Sequence, residues 1–108
     1  MPGTVVINKA TIITLYQIDL YHIFEYVKPF VNSPDLYFEF FLSMDSGLDI
    51  VSFEELTSSE FNHIYRAMVK ALDHFKDSGE SFSPDNRALK KWEGIMRELE
   101  KDERFEPI

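Results

Sequence analysis

The chain has 108 residues, 44% hydrophobic and 15% aromatic, which is ample for one buried core, and it contains no cysteine. Disulfide scaffolds and thiolate metal sites are therefore excluded, and a small domain without covalent staples suits a reducing compartment. A net charge of −8 and a pI near 4.7 disfavour phosphate binding, and no apolar run approaches the roughly eighteen residues of a membrane span, so composition predicts one soluble cytoplasmic domain over residues 1–108 that contacts neither nucleic acid nor membrane directly.

The first third supports two readings. Residues 4–14 are dense in β-branched side chains, which favour a strand. Yet Ile12, Tyr16, Leu20, Ile23, Phe24, Val27 and Val31 also form one helical stripe after a capping residue at Asn8. The balance predicts a helix from Leu15 onward, ended near Pro29, whose ring cannot continue the hydrogen-bond ladder.

Ser33-Pro34-Asp35 is a helix start: a serine cap, a proline where no amide is missed, and a carboxylate at the positive helix end. Leu36, Phe40, Phe41 and Met44 fit a helical face, while Leu36, Phe38, Phe40, Leu42 and Met44 alternate as a strand would. The start signal, with Gly47 as a stop, predicts a helix. Ser52-Phe53-Glu54-Glu55 has capping-box spacing and predicts a short turn ahead of a second box, Thr57-Ser58-Ser59-Glu60.

From Thr57 the apolar residues Phe61, Ile64, Met68, Leu72 and Phe75 recur at helical spacing, and Gly79 suits a left-handed stop. Ser83-Pro84-Asp85 opens a last helix with the stripe Leu89, Trp92, Ile95, Met96 and Leu99. The short linker folds the two into an antiparallel hairpin. The predicted class is mainly α, a compact bundle of four main helices; the alternative is α+β, with one or two short N-terminal hairpins packed on the C-terminal helices.

No constellation names a reaction. His63 and His74 are eleven positions apart on one predicted helix, about 16 Å, too far to share an ion. His22 with Asp19 reads as a surface pair. A calcium loop starting at Asp45 would need glycine and glutamate where Ile50 and Leu56 stand. There is neither a GxSxG elbow nor a glycine-rich phosphate loop. The reading is therefore non-enzymatic, with no catalytic residue, cofactor or metal expected.

Charge is the informative feature. Residues 29–65 hold seven carboxylates (Asp35, Glu39, Asp45, Asp49, Glu54, Glu55, Glu60), no Lys or Arg, and eight of the sixteen aromatics. Such a stretch steers a cationic partner while aromatics supply anchors, so a basic protein partner is expected. The predicted contact residues are Asp45, Asp49, Glu54, Glu55 and Glu60, with Tyr37, Phe53 and Tyr65 as anchors. In size, acidity, lack of cysteine and the stretch Asp35 to Glu60, the chain resembles the small cytoplasmic immunity proteins of bacterial polymorphic toxins, including those of contact-dependent growth inhibition systems. That resemblance implies neutralisation of a basic, nuclease-type toxin by occlusion of its groove. The alternatives are a structural or adaptor module that self-associates through its aromatic surface, and a DNA-mimic or phage-encoded inhibitor.

Overall fold

A computed structural model describes residues 2–78 and 87–107. The stop expected at Gly79 and the start signal at Ser83-Pro84-Asp85 lie outside the described residues. The element order is β1 (Pro2–Asn8), β2 (Thr11–Tyr16), α1 (Gln17–Val27), a 3-10 turn (Lys28–Phe30), α2 (Pro34–Asp45), β3 (Ile50–Ser52), α3 (Ser58–Ser78) and α4 (Arg87–Glu100). The class is thus α+β rather than an all-helical bundle. The β-branched N-terminal segment pairs with itself, and the helix expected from Leu15 begins at Gln17. Asn8 caps no helix: its side-chain oxygen accepts from the Ala10 amide at 2.9 Å and closes the hairpin turn.

The three strands lie in the order β2-β1-β3. β1 runs antiparallel to β2, with Val5 opposite Ile13 and Thr4 opposite Thr14, and parallel to β3, with Val5 opposite Val51. Alternation then sorts the side chains. Gly3, Val5, Ile7, Leu15 and Val51 are buried on one face, whereas Ile12, Thr14 and Tyr16 are exposed on the other. Gly3 is a point of close approach: a Cβ there would lie 2.9 Å from the Leu20 Cβ of α1.

α2 starts as its sequence signal requires, the Ser33 hydroxyl accepting from Leu36 N–H at 3.4 Å. It buries Leu36, Phe40, Phe41 and Met44. Its end is a Schellman closure, in which Gly47 at φ +84° donates to Met44 and Leu48 donates to Ser43. The box at Thr57 is reciprocal: Thr57 N–H donates to Glu60 at 2.9 Å and Glu60 N–H to the Thr57 hydroxyl at 3.2 Å. α3 and α4 run antiparallel, since Tyr65 near one end bonds Glu100 and Lys76 near the other meets Glu93. Between them Phe75 stacks on Trp92, which is wholly buried.

Two ion networks staple the layers. Asp19, buried in α1, takes two hydrogen bonds from Arg87 of α4 at 2.6 and 3.1 Å, and the same guanidinium covers the Tyr16 ring. Arg104 donates to the carbonyls of Ile7, Phe53 and Leu56 and to both oxygens of Asp102, while lying over the Phe61 ring. It thereby ties the C-terminal turn to β1 and to the loop entering α3.

Candidate partner-binding site

The eight predicted contact residues divide into surface and interior. Phe53 is fully buried beneath Phe40 and Phe61, and Tyr65 is buried with its hydroxyl on Glu100. Burial and that hydrogen bond push the Tyr65 phenol up to about 12. Neither ring is a surface anchor, because each fills the gap where α3 meets its neighbours. Tyr37 is half-buried, edge-on to Phe41.

Asp49 is also a correction. Only 8% exposed and in the left-handed region at φ 57°, it accepts from Gln17 at 2.9 Å while its carbonyl takes the Thr4 amide. It holds the loop against β1 and α1. Asp45 is open to solvent, but its charge is met: Lys28 Nζ lies 2.7 Å from both Asp45 and Glu25. Burial works against that ammonium, yet the two carboxylate hydrogen bonds outweigh it and raise the Lys28 pKa. Lys28 lies one residue outside the cation-free stretch, so sequence counting missed this neutralisation.

Of the remaining carboxylates, Glu54 and Glu55 are exposed and Glu60 is half-buried. Glu54 borders a hollow shared with Lys9 and Lys101. Glu39, Glu55 and Glu60, by contrast, line one groove of about 190 Å³ with Phe40, Ser43, Ser52 and Leu56. α2 contributes Glu39, the turn after β3 contributes Glu55, and Glu60 is fixed by its capping duty at Thr57. Among the described residues no Lys or Arg lines this groove, so its local field is negative. Among the described residues no group of three or more His, Asp or Glu could hold a metal ion.

Beside the groove, α2 leaves Phe38 (66% exposed) and Leu42 (48% exposed) on its outer side. At i and i+4 they form one apolar patch, bordered by Asp35 and Glu39. Sequence reasoning did not single them out, although the signal was present: a helix that buries Leu36, Phe40, Phe41 and Met44 must strand Phe38 and Leu42 opposite. Two of the three histidines make structural contacts. His63 Nε2 accepts from Asn32 N–H at 3.2 Å, and His74 Nδ1 pairs with the Tyr26 hydroxyl at 2.7 Å, holding the end of α1 to α3.

No protein-family model and no curated protein matches the sequence. A solved structure does match: a CdiI immunity protein in complex with its cognate CdiA-CT toxin, from Burkholderia pseudomallei E479, with a TM-score of 0.76 over 94% of this chain and 97% of that one, at 20% identity. The chain has the CdiI fold. The likeness covers 94% of this chain and so spans both the sheet and the helices. No helix among the described residues is long and apolar enough to cross a membrane.

Proposed function

We propose that this chain is an immunity protein that binds and neutralises a cognate toxin domain without catalysing a reaction. The observation that carries the reading is the CdiI fold over nearly the whole chain, taken from a protein whose structure was solved with its toxin. Charge and surface chemistry agree with it. The groove of Glu39, Glu55 and Glu60 attracts and seats a basic group, and Phe38 and Leu42 beside it supply desolvated contact. The partner that fits is a basic protein domain of the nuclease type, whose positive substrate groove would be occluded by carboxylates standing where phosphates bind.

Coexpression tests the proposal. The toxin-bearing domain encoded directly upstream should arrest growth alone, and growth should resume when this chain is supplied. Purified together, the two should form a one-to-one complex. Unrelieved arrest, or failure of the pair to co-elute at low salt, would overturn the reading.

A further inference from the structure

The edge of the sheet away from the acidic groove carries the opposite charge. Between β2 and α4 runs a cleft of about 710 Å³ lined by Ile13, Arg87, Lys90, Lys91, Arg97 and Glu98, with Gly94 in its wall. Arg87 is committed to Asp19, and Glu98 bonds Lys101. Among the described residues Lys90, Lys91 and Arg97 have no carboxylate within ion-pairing distance. On a chain of net charge −8, three uncompensated cations in one cleft are a local reversal of sign.

The cleft borders open backbone. β2 is an edge strand, and the pairing of β1 shows which of its groups face outward. Thr4 N–H and the Val6 carbonyl bond towards β3, so their β2 partners Thr14 and Ile12 aim their own N–H and C=O away from β1. Lys91 Nζ already donates to the Thr14 carbonyl at 3.2 Å, which shows that this edge accepts a donor reaching from α4. Ile12 and Tyr16, each 61% exposed, flank the same edge.

We infer that this edge is a docking site for an extended acidic polypeptide segment, which adds as a fourth strand beside β2. Strand alternation sets the pattern it must carry: every second side chain faces α4 and should be Asp or Glu, and those between should be apolar to meet Ile12 and Tyr16. A second copy of this chain fits poorly. Two β2 edges paired antiparallel keep both α4 helices on one face of the joined sheet and bring Lys90, Lys91 and Arg97 towards their own duplicates. Nucleic acid is disfavoured by the charge of the whole molecule and does not use amide donors spaced as a strand.

The test uses the intact chain and labelled synthetic peptides of about seven residues, enough for one strand. An alternating Glu-Val peptide should bind, measured by fluorescence anisotropy at low salt, and hydrogen exchange at Ile12 and Thr14 should slow. An alternating Lys-Val peptide should bind at least about tenfold more weakly. The same Glu-Val peptide, N-methylated on the edge facing β2, should lose a similar factor, because it keeps its charge and loses its donors. Lys90→Glu with Arg97→Glu should weaken the acidic peptide about tenfold with an unchanged circular dichroism spectrum. Equal binding of the methylated peptide would overturn strand addition, and equal binding of the Lys-Val peptide would overturn the charge requirement. Tighter binding of a single-stranded oligonucleotide, or an edge-paired dimer by sedimentation, would also overturn the inference. If the double variant fails to fold, the peptide arms on the unaltered chain decide.

Discussion

Arg104→Met should be among the most damaging conservative changes in this protein. The methionine keeps most of the apolar stem over Phe61 but withdraws every donor. Three carbonyls, of Ile7, Phe53 and Leu56, lose their guanidinium, and Asp102, whose side chain is 3% exposed, keeps only the Asn8 amide and the backbone N–H of residue 104. Removing one partner of a buried ion pair costs about 3–5 kcal/mol, chiefly because the other charge is left uncompensated. Lost cation–π contact adds about 0.5–2 kcal/mol, and water reaching the carbonyls returns part of the loss. A net cost of about 4 kcal/mol is a large share of the 5–15 kcal/mol typical of a domain, and urea denaturation at pH 7 would read it directly.

Two further readouts identify the cause. Adding Asp102→Asn removes the stranded charge, so the double variant should be more stable than the sum of the single changes implies, by about 1–3 kcal/mol. The second readout is pH. The Arg104 hydrogen bond holds the Asp102 carboxyl well below the usual carboxylate range; burial opposes this, and the Asn8 amide and the Arg104 backbone N–H assist. In the unfolded chain an aspartate titrates near 3.9, so below about pH 4 the unfolded state binds the extra proton and the parent loses stability as pH falls. Without Arg104 that loss shrinks, and parent and variant should converge in acid. A cost under about 1 kcal/mol, strict additivity, or a constant gap from pH 7 to pH 3 would refute the argument.

Trp92→Ala should cost about 3–5 kcal/mol in the same assay, since the indole is fully buried and its removal leaves a cavity against Phe75 and Tyr26. Gly3→Ala should cost about 1–3 kcal/mol, because the new methyl meets Leu20 Cβ at 2.9 Å and α1 must shift to admit it. Reversing Glu39 and Glu55 to Lys should slow association with the toxin about tenfold at low salt and less near 1 M salt, while the same reversal at Glu103 and Glu106 has a smaller effect; equal effects in stopped-flow would mean that only global charge matters. Phe38→Ser should speed dissociation about tenfold without lowering stability, because that ring is 66% exposed in the isolated chain.

The fold was legible where one segment decides its own conformation. Ser33 and Thr57 cap helices, Gly47 stops one, and the stripes of α3 and α4 are buried apart from the half-buried Leu72 and Leu89, because each signal acts within a turn or two of chain. The N-terminal error has the same root. Asn8 offers its side chain to nearby backbone, an ability that serves a helix cap and a hairpin turn equally, and Ile12, Tyr16 and Leu20 fall on a helical spacing although a strand ends between them. What resolves the ambiguity is β3, which pairs with β1 across some forty residues and buries Val5 between Val51 and Ile13. No local window contains that partner.

The site was legible as a charge imbalance and illegible in its geometry, for a reason that bears on function. Counting put seven carboxylates in a cation-free stretch, but folding brings Lys28 to Asp45 and turns Asp49 inward, so the field that survives comes from Glu39, Glu55 and Glu60 beside β3. Among the described residues the same folding leaves Lys90, Lys91 and Arg97 without an ion pair beside β2. Since β1 lies between those strands, negative and positive fields stand at opposite edges of one small sheet. A screening length of about 8 Å at physiological salt keeps two such fields separate, so a partner meets each in turn. On the proposed function a basic domain is drawn to the α2 groove, whereas on the inference above the segment that reaches the β2 edge is acidic. Under those two proposals the orientation of the bound partner would be set by two signs at once, which a uniformly acidic surface cannot do.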